Sequence, residues 1–272
     1  MIIQHNMPAA NTNRQLGITN SSLSKSTEKL SSGYRVNRAA DDAAGLSISE
    51  KMRGQIRGLN QASTNAQDGI SLIQTAEGAL NEVHSVLQRM RELTVQAAND
   101  TYVSADRAAI GEELDQLQQE ITRIGETTEF NTMKLLNGSF AGKYFQIGAN
   151  TSQDISLTIS SVSADVLGVA EAKDNVVDHE TATTYISTVN AALTTVSTTR
   201  SKLGAVQNRL EHTIANLDNT SENLQSAESR IRDVNMADEM VNYSKDTILQ
   251  QAAQSMLAQA NQQTQGVLAL LQ

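Results

Sequence analysis

Residues 183–232 read TTYISTVNAALTTVSTTRSKLGAVQNRLEHTIANLDNTSENLQSAESRIR. Within them Val189, Val196, Leu203, Leu210, Leu217, Leu224 and Ile231 recur at every seventh position without a break. That is the spacing of d positions along a coiled-coil seam. The companion a positions, Ile186, Leu193, Arg200, Gln207, Ile214, Ser221 and Glu228, are mixed, which favours a specified register over maximum stability. A helix of this length would be roughly 75 Å long at 1.5 Å rise per residue. It is too long for one compact domain and calls for another rod to lie against.

The first half of the chain supplies a rod. From Ile73, the positions Ala76, Leu80, Val83, Leu87, Met90, Thr94 and Ala97 follow a three-four spacing and draw one mostly apolar stripe along a helix. Leu114, Leu117, Ile121 and Ile124 continue it in a shorter helix after the turn signal Asn99-Asp100-Thr101, with Ser104 or Asp106 as the expected cap. Between Glu129 and Asp178 the pattern changes. Phe130-Asn131, Asn137-Gly138-Ser139 and Gly148-Ala149-Asn150 read as turns, and 143–147 and 155–159 alternate in strand fashion. One or two hairpins capping the rods are expected there. Ser160 to Ser163 and the polar stretch around Asp174 to Thr184 read as exposed loops. The fold class is therefore mainly α, with long antiparallel helical rods and a small β-hairpin region in mid-chain.

Composition narrows function. The 272 residues carry a net charge of -9, no Cys, no Trp, one Pro and 3% aromatics, so thiol chemistry is absent and a large aromatic core is not expected. Acidic balance without a basic run argues against nucleic acid, and no segment has the apolar length of a membrane span or the pattern of a cleavable leader. His5, His84, His179 and His212 are scattered and form no HxxxH pair, so metal binding is disfavoured. The acidic pairs Asp41-Asp42, Glu112-Glu113 and Asp238-Glu239 point in different directions on a helix and read as structural charge. Gly33, Gly45, Gly54 and Gly58 make no phosphate loop and read as turns and close helix contacts. Met90, Met236, Met240 and Met256 read as packing. No catalytic residue and no cofactor is expected.

Charge is also unevenly placed. Arg14 is the one full charge from Met1 to Ser24, and Thr247 to Gln272 carries none. Such amphipathic, uncharged ends lack a partner inside one chain except each other, and little repulsion keeps copies apart. This is the pattern of an assembly subunit.

Several longer motifs then resemble bacterial flagellin over about the first 150 and the last 90 residues. They are KLSSGYRVNRAADDAAGL at 29–46, MRGQIRGL at 52–59, DGISLIQTAEGAL at 68–80, Glu129-Phe130-Asn131, RIRDVNMADEM at 230–240, QANQ at 259–262 and VLALL at 267–271. The chain departs from the family at Gln4, Pro8 and Thr264. Pro8 fixes its own φ and lacks a donor, so the first helix is expected to start near it.

The resemblance implies a self-assembling homopolymer, the helical filament of the flagellum. Such a subunit is extracellular and exported by the flagellum's own type III apparatus without a cleavable signal. It implies inner-layer segments 1–40 and 235–272 paired as a terminal coiled coil, outer-layer helices in 41–128 and 182–234, and a hairpin and loop region at 129–181, too short for a separate outer domain. Arg35, Arg38, Asp41 and Asp42 would form an inter-subunit turn. Ile248, Leu249, Leu257, Val267, Leu268, Leu270 and Leu271 would form the polymerisation core. Implied partners are an export chaperone on the C-terminal segment, the filament cap, hook-junction proteins and the innate-immune Toll-like receptor for flagellin. The receptor would contact Arg89, Leu93, Gln96 and Glu113. Beside this, Leu87 and Met90 read as packed stripe, and Arg89 and Glu92 as outward-facing. The alternatives are a hook-filament junction protein and, from another class, a secreted enzyme on a flagellin scaffold, for which neither the residues nor an HExxH motif is present.

Overall fold

The first helix begins where Asn6 offers its side-chain oxygen to the N–H of Ala9 at 3.1 Å. Pro8, with no N–H to satisfy, sits in the opening turn. The helix α1 (Met7–Ser32) ends at Gly33, whose φ of 76° lets its N–H reach the Lys29 carbonyl at 2.9 Å. The computed structural model describes residues 6–269, with side chains as far as residue 263. The further elements are α2 (Ala43–Ala97), α3 (Ser104–Thr127), β1 (Glu129–Phe130), β2 (Met133–Lys134), β3 (Lys143–Gln146), β4 (Asp154–Leu157), α4 (Ala164–Leu167), a 3-10 turn at Asp174–Val176, α5 (His179–Arg232) and α6 (Met236–Ala269). They form two compact units, one from residues 1–54 with 222–272 and one from residues 55–221.

In the unit made of the chain's ends, α1 and α6 run antiparallel. Asn6 donates to the Ala260 carbonyl at 3.1 Å, Gln250 donates to Asn20 at 2.8 Å, and Lys29 faces Glu239 at 4.0 Å. Along α1 the sheltered positions Ala9, Thr12, Leu16, Thr19, Leu23, Ser26 and Leu30, and along α6 Glu239, Tyr243, Asp246, Gln250, Ala253, Leu257 and Ala260, keep a three-four spacing, the mark of a two-helix seam, with Glu28, Lys29 and Thr247 half-buried beside them. The α6 set is mostly polar or small, so this seam buries little apolar area.

The unit of residues 55–221 has the apolar core. Ile73, Leu80, Leu87 and Met90 of α2, Leu114 and Ile121 of α3, and Val189, Val196, Leu203 and Leu210 of α5 are almost fully buried. Each large aliphatic side chain there contributes roughly 1.5–3 kcal/mol by leaving water. The expected d positions 189 to 217 are thus core. In the other unit, Leu224 and Ile231 are half-buried. Two of the polar a positions are matched on α2: Ser221 donates to Asn60 at 2.8 Å, and Arg200 approaches Glu77 at 3.6 Å, whereas Gln207 donates to Glu211 of its own helix at 2.9 Å. Beside them Ser63 donates to Asp218 at 3.1 Å. These pairs fix an antiparallel register.

Neither residue expected as the cap near 104 is the N-cap of α3, which is Val103. Asp106 accepts the N–H of Val103 at 3.3 Å, while Ser104 is the first helical residue. The strands pair antiparallel, β1 with β2 and β3 with β4.

Several expectations change. The β3–β4 hairpin lies on the flank of the helices rather than capping them. Phe145 meets Gly69 and Leu210 nearby, Asn65 donates to the Gln146 carbonyl at 3.2 Å, and Ala149 abuts Gly58. A side chain at Gly58 would push the hairpin turn away, which is why the turn settles there. The stretch after Ser160 is also packed in part. Val162 and Ala164 are buried, and the Val162 N–H donates to the Leu136 carbonyl. The long C-terminal helix starts at His179 instead of 183: the Ala182 N–H already reaches the Asp178 carbonyl at 3.0 Å, Thr181 accepts the Asp178 N–H at 3.2 Å, and Thr183 and Thr184 turn their hydroxyls onto the His179 and Glu180 carbonyls. Their polarity at the sequence level had mimicked a loop. Met236, Met240 and Met256 are not packing residues within the chain, since all three are exposed.

Candidate functional site

The apolar residues of α6 stand off the seam that pairs with α1. Ile248 is 66% exposed and Val241 68%, and Met236, Met240, Leu249 and Met256 are also exposed. At 100° per residue, Val241 and Ile248 fall nearly opposite Glu239 and Asp246, while Leu249 and Met256 flank the seam. Apolar surface therefore points in more than one direction. On α1, Met7 and Ile18 are exposed as well. Of the residues expected to form a polymerisation core, Ile248 and Leu249 face outward and Leu257 is half-buried in the α1–α6 seam. The side chains of Val267 and Leu268, and all of Leu270 and Leu271, lie outside the described residues. Val241 was not singled out from sequence, although it precedes Ile248 by one heptad.

The turn after α1 is an organised loop. Arg35 donates to the Ile231 carbonyl at 2.6 Å, its N–H to the Arg232 carbonyl at 2.6 Å, and Tyr34 pairs with Asp233 by a β-bridge. The Arg232 guanidinium lies 4.6 Å from the Tyr34 ring centroid and bonds Glu50 at 3.0 Å, which gives it both a cation–π and an ionic partner. Arg38 pairs with Glu28 at 2.9 Å. Asp41 takes the N–H groups of Arg38 at 2.9 Å and Asn37 at 3.3 Å. The Arg38 N–H chiefly, then that of Asn37 and the charges of Lys25 and Arg38, hold the Asp41 carboxyl below its ordinary range against a smaller opposing effect of desolvation. Asp42 caps α2 by accepting the Gly45 N–H at 2.8 Å. A Cβ at Gly45 would collide with that carboxylate. All four expected turn residues thus have partners within the chain.

On the other unit, Arg89 of α2 donates to Glu113 of α3 at 3.0 and 2.8 Å and to Glu92 at 3.3 Å. Those hydrogen bonds, Glu113's first, raise the guanidinium above its usual range. Arg89, Glu113 and Gln96 are exposed, with Gln96 donating to the Tyr102 hydroxyl at 3.1 Å. Leu93 does not join them. It is 2% exposed, because it falls on the same helical stripe as Leu87 and Met90. Spacing alone leaves Leu93 at the edge of the stripe, three residues after buried Met90 but four after exposed Arg89, and packing decides its side. The outward reading of Arg89 and Glu92 and the inward one of Leu87 and Met90 agree with the structure.

Among the described residues, no three His, Asp or Glu side chains gather as a metal site, and no helix is long and apolar enough to cross a membrane. Two chain ends zipped by a polar seam, with apolar residues turned out on several sides, define a subunit of an assembly.

Comparison with known proteins gives the family. The description "Bacterial flagellin N-terminal helical region" matches residues 3–141, and "Bacterial flagellin C-terminal helical region" matches residues 186–271. A flagellin of Halalkalibacterium halodurans is 58% identical over 271 residues, spanning the whole of both chains. A flagellin of Bacillus subtilis is 51% identical over 303 residues, again spanning both. The crystal structure of Bacillus cereus FlgL superposes with a TM-score of 0.52 over 66% of this chain and 99% of that one. At 16% identity it shows the fold alone. The chain belongs to the bacterial flagellins, structural proteins of the flagellar filament and not enzymes.

Proposed function

We propose that copies of this chain polymerise by burying the outward apolar residues of α6 against neighbouring copies, with the terminal helices as the filament's inner layer. The observation that carries this is the choice of faces on α6: polar and small residues meet α1, while Val241, Ile248, Leu249 and Met256 stay exposed. A helix that spends its poorer face inside the chain keeps its better one for a partner. Exposure on several sides suits a subunit with more than one neighbour in a helical lattice. The uncharged segment continuing to Leu271 extends the same chemistry and is the proposed grip for an export chaperone before assembly. The filament cap and hook-junction proteins are proposed to meet the same terminal surfaces. Arg35, Arg38, Asp41 and Asp42 shape a polar turn offered to an adjacent copy.

The test is electron microscopy of seeded assembly by the full chain and by Ile248→Asp. Filaments from the first and dispersed, fully helical monomers from the second are expected. Filaments of normal length from Ile248→Asp overturn the assignment.

Recognition by the Toll-like receptor for flagellin is proposed at the exposed Arg89, Glu113 and Gln96, with Leu93 acting beneath as support. In a receptor reporter assay, Arg89→Ala is expected to lower the response to monomer. An unchanged dose curve removes Arg89 from the contact.

A further inference from the structure

We infer that Asn137 is a self-modifying site, at which the chain converts its own side-chain amide to a carboxylate. Asn137 and Gly138 form the one Asn-Gly pair in the sequence, in an exposed turn between buried Leu136 and Phe140. The turn is anchored on both sides, the Leu136 carbonyl accepting from Val162 and the Phe140 carbonyl from Ile159, each at 2.9 Å. Gly138 has a φ of 86° and no Cβ to shield its nitrogen. The decisive feature is Ser139. Its N–H and its hydroxyl both donate to Asn137 Oδ1, at 2.9 and 2.6 Å, while the competing acceptor, the Lys134 carbonyl, is at 3.4 Å. Two donors on one carboxamide oxygen make an oxyanion hole, placed where charge develops when a nucleophile adds to Cγ.

The nucleophile is the Gly138 backbone nitrogen. Solvent base removes its proton, it bonds to Asn137 Cγ, and negative charge gathers on Oδ1 beneath the two Ser139 donors. The Cγ–NH2 bond then breaks, and the amine leaves as ammonia after taking a proton from water. The succinimide ring that results is opened by a second water, giving aspartate or isoaspartate. The sum is one water consumed, one ammonia released and one negative charge gained. Asn131, in a comparable exposed turn, is followed by β-branched Thr132, which blocks the equivalent approach.

The experiment is incubation of the purified full-length protein in mildly alkaline buffer, followed by isoelectric focusing and mass-spectrometric peptide mapping. An acidic species with Asn137 converted and Asn131 intact is expected to accumulate. Ser139→Ala, which removes the hydroxyl donor, is expected to slow conversion about fivefold, the rate equivalent of one ordinary hydrogen bond. Ser139→Thr, which keeps it, should convert at the parent rate. An intact Asn137 while other asparagines convert, or a Ser139→Ala protein converting as fast as the parent, overturns the inference.

Discussion

Two glycines of α2 should respond oppositely to the same substitution. Gly78 is exposed, and a Cβ built there meets nothing within 4 Å. A Cβ at Gly58 would lie 2.8 Å from the Ala149 Cβ and 3.3 Å from its Cα. Carbon atoms in contact prefer about 3.5–4.0 Å, so the hairpin turn would have to retreat. It is poorly able to, since Gln146 holds the Gly148 and Asn150 carbonyls at 2.8 and 2.7 Å and Gln153 holds the Asn150 N–H at 3.0 Å. Replacing Gly by Ala inside a helix gains about 1 kcal/mol, and overpacking costs roughly 1–3 kcal/mol. Gly78→Ala should therefore stabilise by about 1 kcal/mol, whereas Gly58→Ala should destabilise by about 1 kcal/mol after the two effects are set against each other. A gap of about 2 kcal/mol corresponds to roughly 4–8 °C in melting temperature for a unit of this size. Circular dichroism melts of the monomeric variants measure it. Adding Ala149→Gly to Gly58→Ala should recover much of the loss. Equal stabilisation by Gly58→Ala and Gly78→Ala would refute the reasoning.

Other substitutions follow from local geometry. Thr132 has a φ of 65° in the turn between β1 and β2, a conformation that costs a β-branched residue on the order of 1 kcal/mol. Thr132→Gly should raise stability in urea titration, and a loss would show that its hydroxyl bond to Asn131 matters more. The Asp41 carboxyl, being depressed on folding, stabilises the folded chain above the unfolded pKa of about 3.9 and ceases to do so as pH falls through its lower folded value. Asp41→Asn should thus melt below the parent at neutral pH, with the gap closing in acid; a constant gap would rule out titration of Asp41. Arg107 donates to the Ala97 carbonyl at 3.0 Å and pairs with Asp100 at 2.9 Å. Arg107→Ala should cost about 1–3 kcal/mol by leaving α2's terminal carbonyls without this donor, read as faster hydrogen exchange in the connection at 98–103.

The heptad of α5 was legible because each d residue is aliphatic and each is sheltered by a neighbour of matching period. The stripe from Ile73 to Ala97 was legible for the same reason. The α6 seam was not: Glu239, Tyr243, Asp246 and Gln250 carry the contact, so hydrophobicity traced the residues that face away from α1. The hairpin's strands could be read from alternation, but its seat could not, because it depends on the missing side chain of Gly58, whose partner Ala149 is far along the chain. For the candidate receptor contact, charge located Arg89 and Glu113 at the surface. Leu93 was placed by motif, and its spacing, three from buried Met90 and four from exposed Arg89, left its side to be decided by packing, which buries it.

The antiparallel pair of α1 and α6 has a kinetic consequence. A seam of Thr, Ser, Ala, Asp and Gln, with leucines at intervals, resists separation weakly in an isolated chain, because few apolar contacts are lost when it parts. The residue 55–221 unit, with its aliphatic core, opens only against a much larger loss. The isolated molecule therefore comes apart from its ends first, unzipping as a separate cooperative segment. In the proposed assembly, neighbours covering α6's outward side would lock that zipper shut.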